Sequence, residues 1–342
     1  MKDELDRFSS LVIQSTLRLK NRVVVPPMAS STADPAGRVT EKTLAHYRSL
    51  CQSGAGLVMV EYSFVHSSGR SEENQLGISD DFHLDGLTRL AEAIHAEGGR
   101  AGIQLTHAGG KTSPDLTSGD FMGPSAVPVP VKGTLLKTPR EMGEADIQLW
   151  KDSFASAISI AVRAGFDLVE LHCAHGYGLN QWLSPLTNHR SDAYGGDNLN
   201  DRAKLLLEMI QAARHAFPRL ALSVRMPGQD FLEGGLGPSE GVELAKLLEA
   251  AGVRVLSISS GIGGWRRPSD RTGEGYLVEE AERIRLQVAI PVIGVGGISS
   301  GLYIDQILKA GKVSLAAVGR AILGDPQQWA QQWMKPRPAW KT

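Results

Sequence analysis

The sequence predicts a single α/β domain of the closed (β/α)8, TIM-barrel class, with long βα loops after its third and fourth strands. Three observations carry this expectation. Eight short, nearly continuous apolar runs recur along the 342 residues, each followed by a longer amphipathic stretch. Runs apolar on both faces are those of parallel strands covered by helices. Helix-like stretches end repeatedly on glycine just before the next apolar run, and no Pro/Ser-rich linker divides the chain. Eight strand–helix alternations suit closure better than an open doubly wound sheet.

In order, the predicted strands are VVVPP (23–27), GLVMVEY (56–62), RAGIQLTH (100–107), FDLVELH (166–172), LALSVRM (220–226), VRVLSIS (253–259), IPVIGVG (290–296) and VSLAAVG (313–319). The clearest helix spans 144–164, where Ile147, Trp150, Phe154, Ile158 and Ala161 recur at steps of three and four and form one stripe. Gly165 stands at the C-cap position, and the rhythm recurs at Gly54/Gly56, Gly98/Gly99, Gly252 and Gly311. The first 20 residues hold a weak strand pair, LVIQ and LRLK, placed to plug the mouth opposite the active face. Two connections, 107–143 and 173–198, exceed plain turns. Loops beyond about 12–15 residues are usually functional or disordered, and in a barrel both fall at the C-terminal face, where active sites are built.

Composition sets bounds on function. Hydrophobic residues make up 42% and charged residues 21%, which suits a well-filled core. Lys+Arg (36) and Asp+Glu (37) nearly cancel without a basic run, which argues against nucleic acid or an anionic membrane as partner. The start, MKDELDRFSS, lacks the apolar core of a signal peptide, and no stretch reaches the length of about 18 apolar residues that a spanning helix needs. The expectation is a cytoplasmic protein. Two cysteines, Cys51 and Cys173, cannot by themselves build a disulfide framework, a zinc site or an iron–sulfur centre.

The strongest chemical signal is His172-Cys173-Ala174-His175-Gly176-Tyr177 at the end of the fourth strand. Strand side chains alternate, so His172 facing the mouth sends Cys173 to the helix layer as an inert thiol. Two imidazoles and a phenol on one loop can hold a carbonyl oxygen and supply a proton. The competing readings are a structural histidine pair, or half a metal site with His107 or His189 as a further ligand; no carboxylate cluster supports the metal. A second signal is Gly294-Val295-Gly296-Gly297 after the seventh strand and Gly319-Arg320 after the eighth, where barrels bind phosphate. Third, Gln104, Glu170 and Arg225 interrupt apolar strands. Unpaired burial would cost several kcal/mol, so either Glu170 pairs with Arg225, or Gln104 and Arg225 face a bound polar ring, or both.

Together these segments resemble the Old Yellow Enzyme family of flavin oxidoreductases. Lys20-Asn21-Arg22 leading into Val-Val-Val-Pro-Pro-Met28 is similar to its opening strand. GIQLTHAGGK (102–111), GPSAV (123–127), AGFDLVELHCAHGYGLNQWLSP (164–185), NHRSDAYGG (188–196) and VGRAILGDP (318–326) follow in the family's order and spacing, over residues 8–334. The His–x–x–His pair looks like the family's His–His bacterial branch.

The resemblance implies an FMN-binding barrel over residues 1–334 and a C-terminal tail over 335–342. The non-covalent FMN would meet Gly296, Gly297, Gly319 and Arg320 with its phosphate, and Pro27, Met28, Tyr62, Gln104, Arg225 and Ser259 with its ring. His172, His175 and Lys111 would bind substrate. Hydride from NAD(P)H would reach the β-carbon of an α,β-unsaturated carbonyl compound through flavin N5, in ping-pong fashion, with Tyr177 protonating the α-carbon. In that branch a C-terminal Arg followed by a terminal Trp reaches the neighbouring subunit's site. Arg337 and Trp340 follow the same order with spacing one residue wider, which implies a homodimer or higher homo-oligomer. The chain departs from the family at Ala29 and Ser31, where the branch carries Cys and Tyr, and by one extra residue after Gly196. The alternatives are a quinone or nitro-compound reductase on the same flavin, and a non-catalytic flavin-binding barrel.

Overall fold

A computed structural model describes residues 5–14, 17–131, 136–265 and 267–335. Eight parallel strands close a barrel in chain order: β1 (Val23–Val25), β2 (Leu57–Phe64), β3 (Arg100–Thr106), β4 (Leu168–His172), β5 (Ala221–Gln229), β6 (Val255–Ser260), β7 (Val292–Gly294) and β8 (Leu315–Ala317). β8 pairs back on β1, with Ala317 opposite Val24. All eight predicted runs are strands. β1 stops before Pro26 and Pro27, which have no N–H to donate to a ladder. β7 ends at Gly294 because Gly296 (φ 126°) and Gly297 (φ 67°) turn the chain out in conformations that side chains resist.

The helices are α1 (Glu41–Cys51), α2 (Leu84–Ala96), α3 (Glu144–Arg163), α4 (Gly178–Leu183), α5 (Leu199–Ala216), α6 (Pro238–Ala250), α7 (Val278–Arg285), α8 (Gly301–Lys309), α9 (Arg320–Gly324) and α10 (Pro326–Trp333). The predicted stripe of α3 is buried along its length, and Gly165 leaves the helix at φ 87°.

The period-two alternation of the strands sorts the core into two layers. Val23, Val25, Val58, Val60, Val169 and Leu171 pack outward under the helices. Val24, Leu57, Met59, Leu168, Val255 and Leu315 point inward and fill the lower barrel. The N-terminal residues Leu11–Ile13 and Leu17–Leu19 pair antiparallel, and Ile13, Leu17 and Leu19 join that inner cluster. The pair therefore plugs the bottom of the barrel, as the sequence predicts.

Both long loops leave the opposite, C-terminal face. The loop after β3 carries a 3-10 turn at Pro114–Leu116 and two-residue strands Met122–Gly123 and Arg140–Glu141, which pair with each other. The loop after β4 carries α4, all of whose residues are buried. No helix among the described residues is long and apolar enough to cross a membrane. Arg337 and Trp340 lie outside the described residues.

Candidate active site

A cavity of about 1290 Å³ opens where the C-terminal ends of the strands meet their loops. It is lined by Pro27, Met28, Tyr62, Gln104, Lys111, His172, His175, Tyr177, Arg225, Ser259, Gly297, Gly319 and Arg320, so residues of all eight strands or of the loops that follow them converge on one space.

His172 is the last residue of β4 and stands opposite Arg225 of β5. It is buried, and its Nδ1 finds no hydrogen-bond partner among the described residues. Cys173 turns the other way, into the core under the helices, where burial pushes its thiol far above the ordinary range. Past the strand end the chain enters a left-handed bend at His175 (φ 62°), a conformation uncommon for a residue with a side chain. The bend brings the His175 ring edge-on to His172, with centroids 5.1 Å apart, and His175 Nε2 shares a 2.6 Å hydrogen bond with Ser259 Oγ. Burial lowers the pKa of both imidazoles well below the ordinary value, and the nearby cations of Arg225 and Lys111 lower it further. Both rings are therefore neutral near pH 7, and each has one N–H to donate.

Tyr177 completes the group, its ring 4.9 Å from that of His172. Lys111, from the loop after β3, donates from Nζ to the His175 carbonyl at 2.7 Å and stands 4.2 Å over the Tyr177 ring. Burial brings the Lys111 ammonium down to about 8.

The polar strand residues form a layer beneath. Gln104 Nε2 donates to Glu170 Oε1 at 2.9 Å, and Ser223 Oγ donates to Glu170 Oε2 at 3.0 Å. The expected Glu170–Arg225 pairing is thus corrected: no ion pair joins them among the described residues, and Arg225 acts on Glu170 through its field alone. The physical reason is register, which sets Glu170 opposite Gln104 and Ser223 and leaves Arg225 opposite His172. Arg225 Nη2 reaches Ser259 Oγ at 3.4 Å. Gln104 Oε1 and Arg225 Nε remain buried without a partner among the described residues. Such orphans are expensive, and a polar ring in this cavity would satisfy them.

At the other end Gly297, Gly319 and Arg320 line the same cavity. Gly296 sits just behind, its carbonyl accepting from the backbone N–H groups of Gly275 and Tyr276. A Cβ on Gly319 would lie 3.2 Å from Met28 Sδ, so a side chain there would crowd the floor of this end. Ala29 also lines the cavity, whereas Ser31 takes a left-handed backbone (φ 52°) outside it.

Two of the histidines weighed as metal ligands are placed differently. His107 is buried, packed 4.2 Å from Trp150 and hydrogen-bonded to Ser68 Oγ and Gly109 N–H, with its pKa pushed down to about 3 by burial. His189 is exposed. The sequence reading missed Ser71 and Glu72, from the loop after β2, and Trp265, Arg267 and Tyr276, from the loop after β6. These loops carry no periodic or motif signal that would place them on the cavity.

Comparison with known proteins supplies the context for this geometry. The family model described as NADH:flavin oxidoreductase / NADH oxidase matches residues 8–339. An NADPH dehydrogenase of Bacillus velezensis is 37% identical over 309 residues, which cover 90% of this chain and 88% of that protein. An NADH oxidase of Thermoanaerobacter brockii is 37% identical over 91% of this chain, which spans only 48% of that longer protein. Among solved structures, morphinone reductase is similar with a TM-score of 0.82 and 26% identity, covering 96% of this chain and 90% of its own. The chain therefore belongs to the NADH:flavin oxidoreductase / NADH oxidase family and is an Old Yellow Enzyme-like oxidoreductase that works with FMN and NAD(P)H.

Proposed function

We propose that this enzyme reduces the carbon–carbon double bond of α,β-unsaturated carbonyl compounds. The observation that carries this reading is the convergence of two neutral imidazoles, His172 and His175, with the phenol of Tyr177 on one cavity. Below them, the orphaned Gln104 Oε1 and Arg225 Nε suit the edge of a flavin ring. Pro27, Met28, Tyr62 and Ser259 would border that ring, and Gly296, Gly297, Gly319 and Arg320 would hold the phosphate, all without a covalent link. FMN held there would supply the hydride, drawn from NAD(P)H, that the β-carbon receives.

His172 and His175 hold the substrate carbonyl oxygen by their N–H groups and stabilise the negative charge that grows on it. Burial, reinforced by the Arg225 cation, keeps both rings neutral and so keeps each as a donor without a full charge. Tyr177 gives its hydroxyl proton to the α-carbon. Lys111 fixes the His175 backbone and the face of the Tyr177 ring together. We place this chain in the His–His branch and assign the tail, through Arg337, to a neighbouring subunit's pocket in a homo-oligomer; deleting 336–342 should then raise KM for enones while leaving FMN bound.

Purified protein should be yellow, and heat should release FMN and not FAD. Turnover of cyclohexenone should exceed that of a quinone or a nitroaromatic. Preference for the quinone would move the assignment to a quinone or nitro-compound reductase on the same site, and colourless protein that takes up no FMN would overturn the site assignment.

A further inference from the structure

Tyr177 must regain its proton after every turnover, and its surroundings restrict where that proton comes from. The residue is 7% exposed. Lys111 covers one face of its ring and is committed to the His175 carbonyl, and a bound substrate would cover the side facing the cavity. The nearest polar side chains acting on its hydroxyl are those of Tyr62 and Ser71. Ser71 leads nowhere acidic, since its Oγ donates to Gln75 Oε1 at 3.3 Å. Tyr62 does lead onward: its ring lies 5.3 Å from that of Tyr177, and its hydroxyl donates to Glu72 Oε1. Glu72 is half-buried on the cavity wall, with access to water. It is the only carboxylate among the described residues that line the cavity, and the other charged groups acting around it are Lys111 and, deeper, Glu61.

We infer that Glu72 and Tyr62 form a proton relay that recharges Tyr177 from solvent, with Glu72 as its entry. This rests on Tyr177 being the proton donor proposed above. At rest, Tyr62 donates to the Glu72 carboxylate, which leaves the Tyr62 oxygen free to accept from Tyr177. When Tyr177 has given its proton to the substrate carbon, it is a phenolate. A solvent proton adds to Glu72; the Glu72 O–H then breaks as an O–H forms on Tyr62, and the Tyr62 O–H breaks as one forms on Tyr177. One proton enters, one leaves with the product, and no electrons move along the path. Oxygen-to-oxygen steps along hydrogen bonds are fast when the groups are pre-aligned, so a broken relay shows as a delay after the chemical step.

The test uses the FMN-loaded full chain carrying ring-deuterated tyrosine, reduced once and mixed with one equivalent of cyclohexenone. Time-resolved infrared difference spectra follow the tyrosinate band. In the wild type it should be weak and short-lived. In Glu72→Gln the oxidation rate of the first turnover should stay within about twofold, because Tyr177 already carries its proton. The tyrosinate should then persist at least about tenfold longer and decay faster as acetic acid or imidazole buffer is raised. Tyrosinate decay equal to wild type in Glu72→Gln would overturn the relay. So would a first turnover slowed as much as the recovery and insensitive to buffer, which would reduce the pair to positioning. If Tyr177→Phe oxidises with enone at the wild-type rate, the donor assignment itself fails, and that outcome is separate from either result.

Discussion

The Lys111 ammonium joins His175 to Tyr177: Nζ donates to the backbone carbonyl of the one at 2.7 Å and stands 4.2 Å over the ring of the other. Cation–ring and charge-assisted contacts of this kind strengthen as water is excluded. Burial brings this ammonium to about 8, with Glu72 pulling the other way. It is cationic below that pH and neutral above it, so the contacts that align the loop from His175 to Tyr177 weaken as pH rises through 8. The expected result is an alkaline limb near pH 8 in kcat/KM for enone reduction. Lys111→Arg, whose guanidinium stays charged, should move that limb to higher pH. An unchanged limb in the variant would assign it to another group.

His172 and His175 should act as a pair. A phenolate such as para-hydroxybenzaldehyde should bind over the flavin and produce a long-wavelength charge-transfer band. His172→Ala or His175→Ala should weaken the band and slow enone reduction by at least about tenfold, in line with losing one oxyanion donor. Normal phenol binding in the double variant would make the pair structural.

Tyr177→Phe should separate the two half-reactions. Flavin reduction by NAD(P)H should stay nearly intact, whereas reoxidation by enone should fall by roughly 10²-fold, the lower range for a lost general acid. Equal losses in both halves, followed by stopped-flow absorbance, would indicate a packing role.

Gly241→Ala tests the scaffold and not the site. A Cβ there would lie 2.3 Å from the Gly228 carbonyl oxygen, where α6 crosses β5, and neither backbone can yield. Overpacking of this kind costs about 1–3 kcal/mol, more than the roughly 1 kcal/mol that alanine gains over glycine in a helix. Urea unfolding should show a lower midpoint with an unchanged slope; an unaltered midpoint would mean that α6 shifts freely.

The barrel was legible because its strands are buried on both faces: each is a run of apolar residues bounded by glycine or proline, and the α3 stripe of Ile147, Trp150 and Phe154 has an unmistakable period. The polar residues within the strands or at their ends, Gln104, Arg225 and His172, were legible for the converse reason, since a polar group in an apolar run must have a purpose. What could not be read was pairing across strands. Glu170 and Arg225 look complementary in sequence, but register hands Glu170 to Gln104 and Ser223. Glu72 was invisible because it sits in an irregular, polar loop, where an acidic residue is ordinary; only the folded path of that loop sets it against Tyr62.

The N-terminal strand pair seats Ile13, Leu17 and Leu19 with Leu57, Met59 and Leu315 in the lower barrel, so the cavity above is closed toward that end. Reactants must come and go on the loop side, and two that need the same floor cannot occupy it together. An excess of either the nicotinamide or the enone would then block the well against its counterpart. The plug thus reaches beyond stability into kinetics: each reactant at high concentration should inhibit competitively against the other, and the fastest turnover should lie at balanced, intermediate concentrations of both.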